Sequence, residues 1–282
     1  MKIPADKKKK TKKIIFAVVA SLTAVILLSI WGVLCFIQIY KYETGDFDGY
    51  EGTELVAHRG SCSEYFDNTE AAFNAASVRG AFSGIETDIR RTADGVWVCS
   101  HDDNPFFDKS VKITESDYAG IKDLALDTSG AYESAIVTGD EKICLYSTYL
   151  AACRAGGKFA LIEIKGKYGS DELETPVSEA VAALGYKKFF FASFDLSSVS
   201  AVHKVDTRVR TLLFSGNAFL AYCYTEMGSN VGLSFGAALA YALKHAHDLN
   251  HLCFVYGITS AERLETVENM HVDYAISDYV PY

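Results

Sequence analysis

Proline is scarce in this chain, four residues in 282, and no low-complexity or repeated stretch follows the extreme N-terminus. Those absences argue against disordered and repeat architectures and for a globular protein with a sizeable core. Basic charge is also in deficit beyond residue 13. The remainder holds 20 Lys and Arg against 35 Asp and Glu, a formal balance of −15, and so acidic a surface makes nucleic acid a poor partner. Cysteine pairing is undirected. Outside Cys35, six cysteines (Cys62, Cys99, Cys144, Cys153, Cys223, Cys253) show no spacing that selects a pairing, several lie in apolar runs, and unpaired buried thiols are expected.

What is present begins with a second absence, that of any charge from Ile14 to Ile37. At ~1.5 Å per helical residue this stretch reaches about 36 Å, enough to cross a ~30 Å hydrocarbon layer with some tilt. Lysines at 2, 7 to 10, 12 and 13 precede it and favour a cytoplasmic N-terminus, with the rest of the chain across the membrane. Trp31, Tyr40 and Tyr42 suit the far interface. A cleaved signal peptide is the rival, but the apolar run is longer than such cores, and Phe36 to Tyr40 offers no small-x-small cleavage site. The expected organisation is a basic cytoplasmic tail (1–13), a transmembrane anchor (14–39), a tether (40–53) and an extracytoplasmic domain (54–282).

Within that domain strand-like and helix-like runs alternate, the pattern of a parallel sheet with helical crossovers. Eight strands are expected near 55–58, 84–89, 160–165, 189–194, 209–214, 230–233, 252–257 and 273–277. Helices are expected over Thr69–Arg79, Ser147–Ala155, Thr175–Leu184 (Pro176 in its first turn), Leu196–Lys204, Phe235–Asn250 and Ser260–Asn269. A (β/α)8 TIM barrel is the economical α/β reading. Asp94-Gly95 signals a tight turn, so the second strand should fold back as a hairpin that brings Glu86 and His101 close. Asp103 to Lys142 then forms a loop-rich insertion after strand 2, with a helix near Ser116–Leu124, positioned to act as a lid.

Polar clusters sit at or near the ends of the apolar strands: His58-Arg59-Gly60, Glu86-Thr87-Asp88, His101-Asp102 and Glu163-Ile164-Lys165. Residues two apart on a strand share a face, so Glu86 pairs with Asp88 and Glu163 with Lys165. Converging carboxylates must be protonated or share a cation. An all-oxygen set selects a hard ion, Mg²⁺ or Ca²⁺, and the histidines have no zinc-like spacing. Arg59 and Lys165 beside that ion favour an anion, best a phosphate. His58 and His101 can then serve as the proton acceptor and donor of phosphodiester cleavage, in an order the sequence leaves open. His203, His245, His247, His251 and His271 are expected to be structural.

The ordered series Val56-Ala57-His58-Arg59-Gly60, Asp67-Asn68-Thr69, Gly84-Ile85-Glu86-Thr87-Asp88, Ser100-His101-Asp102, Leu161-Ile162-Glu163-Ile164-Lys165 and a closing Ser277-Asp278 resembles the glycerophosphodiester phosphodiesterase family. The resemblance implies a TIM barrel that hydrolyses a glycerophosphodiester to glycerol 3-phosphate and an alcohol. By position it implies His58 and His101 as the acid/base pair, Glu86, Asp88 and Glu163 as metal ligands, and Arg59 and Lys165 as phosphate contacts. It leaves Asn68 without a role. Two departures concern the pocket wall: Phe66-Asp67 replaces the family's common Pro-Glu, and Tyr256-Gly257 its Trp-Thr. Two other readings remain, a lysophospholipase D-like hydrolase on lysophospholipids and a catalytically silent phospho-ligand-binding barrel.

Overall fold

The computed structural model describes residues 5–43 and 52–281, and the chain divides into two compact units, Met1–Asp46 and Phe47–Tyr282. The first contains one helix, α1 (Ala5–Glu43), of which Lys12–Gly32 is long and apolar enough to cross a membrane. Its apolar side chains are exposed, Phe16 and Leu28 among them. Thr23 and Ser29 donate their hydroxyls back to the Val19 and Val25 carbonyls at 2.9 Å, so these two polar side chains are satisfied within the helix, as a bilayer demands. The helix runs past residue 39. Most of the expected tether (44–51) and the side chains of Tyr40 and Tyr42 lie outside the described residues.

In the second unit all eight expected strands form a closed parallel barrel: β1 (Glu54–Ala57), β2 (Phe82–Arg91), β5 (Phe159–Ile164), β6 (Phe189–Ser193), β7 (Thr211–Ser215), β8 (Asn230–Ser234), β9 (Cys253–Ile258) and β10 (Tyr274–Ser277), with β10 and β2 both paired to β1. Two short antiparallel strands, β3 (Trp97–Cys99) and β4 (Cys144–Leu145), extend β2 and bracket the insertion. Residues on alternate positions point inward. Val56, Phe159, Leu161, Phe190, Ala192, Leu212, Phe214, Phe254 and Ile276 fill the interior, each fully buried Phe contributing about 1.5–3 kcal/mol over exposure. Glycine makes that filling possible: a Cβ at Gly84 would lie 2.5 Å from the Phe159 ring, and one at Gly232 2.3 Å from that of Phe214.

Helices α2 (Glu70–Val78), α4 (Tyr146–Gly156), α6 (Leu196–Val205) and α9 (Ala261–Asn269) fall where expected, and Thr69 caps α2 by accepting from Ala72 N–H. Four segments differ. The short α3 (Tyr118–Ile121) is a single turn rather than the nine-residue run Ser116–Leu124. Helix α5 (Ser170–Leu184) starts five residues early, because Glu172 Oε2 accepts the Gly169 N–H at 3.0 Å and closes the first turn there; Pro176 lies inside the helix. An unexpected α7 (Ala218–Glu226) is capped by Asn217, whose Oδ1 accepts from Phe219 and Leu220 N–H. The run Phe235–Asn250 breaks into a short 3-10 turn and α8 (Ala240–Asp248). The insertion has its own small core of Phe106, Ile113, Ile121, Leu126 and Ile143 packed on Val98. The described cysteines outside α1 are free thiols, five of the six buried.

Candidate active site

Every polar cluster reaches the C-terminal rim of the barrel. His58 and Arg59 leave β1 in a turn that passes through the left-handed region at Arg59 (φ 54°) and Gly60 (φ 82°). At Gly60 a Cβ would sit 2.7 Å from the Ala72 carbonyl carbon, so only glycine lets the chain pass so close to α2. That turn aims the Arg59 N–H at Glu86 Oε2, 2.8 Å away. Holding arginine there costs of order 1–3 kcal/mol, the kind of strain that collects at working sites. On β2, Glu86 and Asp88 occupy successive inward positions above Gly84; across the parallel ladder Asp88 is in register with Glu163 on β5. Oxygen atoms of Glu86, Asp88 and Glu163 consequently all lie within 4.8 Å of one another, and all three residues are buried.

Burial and mutual repulsion set the charges. Lys165 Nζ lies 2.6 Å from Glu163 Oε1 and 3.1 Å from Asp88 Oδ1. Arg59 Nη1 donates to Asp67 Oδ2 at 2.9 Å, while its Nε faces Asp88 Oδ2 at 3.1 Å without the alignment of a hydrogen bond. Burial raises the Asp88 pKa, but the Arg59 and Lys165 cations outweigh it and hold this carboxyl below its ordinary value. Glu86 is pushed up to about 8 and Glu163 to about 7, in both cases by burial first and by Asp88 second. Two cations thus neutralise part of a three-carboxylate cluster, and protons on the glutamates supply the rest. A hard divalent cation fits such a donor set, because it replaces those protons and is ligated by oxygen alone.

The two histidines differ. His58 Nδ1 lies 2.5 Å from Asp278 Oδ1, and Nε2 is 4.0 Å from Glu86 Oε2. Burial lowers its pKa, but the Asp278 hydrogen bond and the Glu86 charge outweigh burial and leave it raised. His101 lies 2.9 Å from Asp102 through Nδ1; burial first and the Arg59 cation second keep its pKa below the usual imidazole value. With Ile89 opposite Cys99 and Ser100 N–H bonded to the Asp88 carbonyl at 2.9 Å, the hairpin carries His101 back to the Glu86–Asp88 stretch of β2, where the Asp88 charge acts on it together with the Asp102 hydrogen bond.

A family model for the glycerophosphoryl diester phosphodiesterase family matches residues 58–281. The chain belongs to that family. It is accordingly an enzyme, a glycerophosphodiester phosphodiesterase. Solved structures share the barrel. A glycerophosphodiester phosphodiesterase from Parabacteroides distasonis is 20% identical with a TM-score of 0.65, over 82% of this chain and 94% of that one. An Oleispira antarctica phosphodiesterase, solved with the product sn-glycerol-3-phosphate, is 17% identical with a TM-score of 0.66, over 81% and 94%. A glycerophosphodiester phosphodiesterase from Agrobacterium tumefaciens is 19% identical with a TM-score of 0.62, over 80% and 96%.

In this family member all seven site residues expected from sequence (His58, Arg59, Glu86, Asp88, His101, Glu163, Lys165) gather at one rim, next to a cavity of about 440 Å³ that His58, Arg59 and His101 line. Its outer wall comes from the insertion, through Lys109, Leu126 and Tyr132. Sequence reasoning gave no role to Asp278, which grips His58, nor to Asn68. Asn68, itself left-handed at φ 56°, accepts from Thr87 Oγ1 at 2.7 Å and from Asp88 N–H at 3.2 Å, and donates to Asp88 Oδ2 at 3.0 Å. Both residues stood in the ordered motif series, the one signal that marked them.

Proposed function

We propose that this protein is a membrane-anchored, metal-dependent phosphodiesterase that hydrolyses glycerophosphodiesters to glycerol 3-phosphate and an alcohol. The observation that carries the reading is the trio of buried carboxylates within 4.8 Å, flanked by two imidazoles and two cations. Glu86, Asp88 and Glu163 would hold one Mg²⁺ or Ca²⁺, which when bound supplies a Lewis-acid contact to a phosphoryl oxygen. Arg59 forks onto phosphoryl oxygens and Lys165 adds a point charge. With Nδ1 fixed by Asp278, His58 presents Nε2 to the reacting groups; His101 faces the same cavity. Of the two imidazoles, one takes the proton of the attacking hydroxyl or water and the other protonates the departing alcohol. The Asp278 hydrogen bond and the Glu86 charge leave the His58 pKa raised, whereas burial and the Arg59 cation leave that of His101 lowered, so the two imidazoles differ as an acid and a base must.

Membrane attachment is supported by α1, whose window Lys12–Gly32 is apolar and uncovered, and by the lysines before it, which favour a cytoplasmic tail (1–13), an anchor (14–39), a tether (40–53) and an extracytoplasmic catalytic domain (54–282). A second reading, lysophospholipase D-like cleavage of lysophospholipids, is favoured by an apolar flank at the same rim. Phe194, half exposed, has its ring 5.9 Å from Lys165 Nζ and packs on Phe214 and Tyr256; Phe219 and Leu220 at the start of α7 are also exposed. The test is a head-group screen on the full chain in detergent with Mg²⁺ or Ca²⁺, scoring alcohol release from glycerophosphodiesters and from lysophospholipids. Release from the first class supports the main reading, and release from lysophospholipids alone supports the second. Binding of a diester with no release under either ion would identify a silent binding barrel and overturn both.

A further inference from the structure

The insertion does more than wall the cavity, because one of its side chains closes on the carboxylate that holds His58. Asp278 directly follows β10 and is fixed by its own backbone, its N–H donating to the Ile258 carbonyl at 2.9 Å. Oδ1 accepts from His58 Nδ1 at 2.5 Å and from the Cys62 thiol at 3.2 Å. Oδ2 accepts the Tyr132 hydroxyl at 2.5 Å. Tyr132 lies in the middle of the insertion, 146 residues away in sequence, and the residue is 44% exposed. The strap that carries it is tied down beside it: Ser134 Oγ donates to the Ser63 carbonyl at 2.6 Å, and Ile136 N–H donates to the Glu64 carbonyl at 2.8 Å. Those two acceptors belong to the loop that leaves His58. The strap and the histidine loop are therefore joined twice through backbone carbonyls and once through Asp278.

We infer that Tyr132 is a positioning residue for His58: by occupying Oδ2 it leaves Oδ1 as the oxygen that receives the imidazole, and so makes the ring's orientation depend on a seated insertion. A carboxylate with one oxygen already bonded has fewer ways to rotate; the outer partners that orient metal-bound histidines, the nearest analogy, are worth about 10–100-fold. Deletion of the hydroxyl lets the carboxylate turn and take water on Oδ2. The ring then spends less time with Nε2 toward the substrate, which lowers turnover without removing any group that binds it.

The inference rests on His58 exchanging a proton with the substrate, as proposed above. The test uses the full chain in detergent with Mg²⁺ and glycerophosphocholine, comparing wild type, Tyr132→Phe, Asp278→Asn and the double variant. Expected are a loss of kcat of about tenfold for Tyr132→Phe with KM within about twofold, a loss of about 100-fold for Asp278→Asn, and a double variant no slower than Asp278→Asn alone. Turnover of Tyr132→Phe within twofold of wild type, or losses that multiply in the double variant, would overturn it. A tyrosine that merely stabilised the insertion would raise KM and give multiplying losses. If wild type cleaves no diester the proposed reaction fails, and a substrate-free measurement still decides this inference. The ¹⁵N-histidine spectrum should show a His58 Nδ1–H slow to exchange with water in wild type and fast in Tyr132→Phe; equal exchange in both sinks it.

Discussion

At the two ends of β10 the same three residue types meet. After the strand, Asp278 joins His58 and Cys62; before it, Asp273 joins His247 and Cys253. In the second group Asp273 Oδ2 takes both His247 Nε2 at 2.9 Å and the Cys253 N–H at 2.7 Å, and the Asp273 carbonyl takes the Glu54 N–H at 2.8 Å. His247 and Cys253 are buried, and the trio ties α8, β9 and β10 to the chain entering β1. The first trio has a similar internal geometry but adjoins a cavity, two cations and three buried carboxylates. Residue type does not separate a clamp from a reacting group; what does is the end of the strand on which the residue stands, since barrel enzymes build their chemistry at the C-terminal rim.

That contrast can be broken by substitution. His101→Ala should lower kcat by about 10³-fold, within the 10²–10⁴ range for lost acid–base catalysis, while calorimetry finds metal affinity within about threefold of wild type; retained turnover would remove His101 from the mechanism. Glu163→Ala should weaken metal binding by about 100-fold or more and regain part of its activity in excess ion, whereas loss that no ion concentration relieves would speak against ligation. Protonation offers a subtler probe. With Glu86 raised to about 8 and Glu163 to about 7, an entering cation must displace protons, so affinity rises with pH and levels off above about 8. Below pH 7, where both are protonated, each proton displaced should cost about tenfold in affinity per pH unit. A pH-independent affinity between 6 and 9 would contradict the charge balance described for the rim. The smallest effect belongs to the opposite end. His247→Ala should leave kcat and KM within about twofold while lowering Tm by about 3–8 °C, the loss of one buried hydrogen bond of 1–2 kcal/mol.

The barrel was legible because its strands are short, mostly apolar runs that alternate with longer helix-period segments, the signature of a parallel sheet with helical crossovers. Helix α7 was hidden for the opposite reason. Ala218 to Glu226 mixes apolar and aromatic residues around the helix without a clear stripe, and Ser215-Gly216-Asn217 reads as a loop although Asn217 is the cap. Pro176 misled in α5, since proline marks a first turn more often than an interior position. At the site, pairs on one strand followed from period two, and Glu86, Asp88 and Glu163 converged as that rule predicts. Contacts across the chain did not. The His58–Asp278 bond spans 220 residues, and a turn signal such as Asp94-Gly95 locates a hairpin without fixing its ladder, so the pairing of Ile89 with Cys99 had to come from the structure.

Gly84 and Gly232 have an outcome for traffic as well as for packing. Because the Phe159 and Phe214 rings drop into the room those glycines leave, the barrel axis is filled by side chains and offers no passage from its N-terminal end. Anything that reaches the rim cavity must therefore come from the C-terminal side, past the insertion residues that wall it.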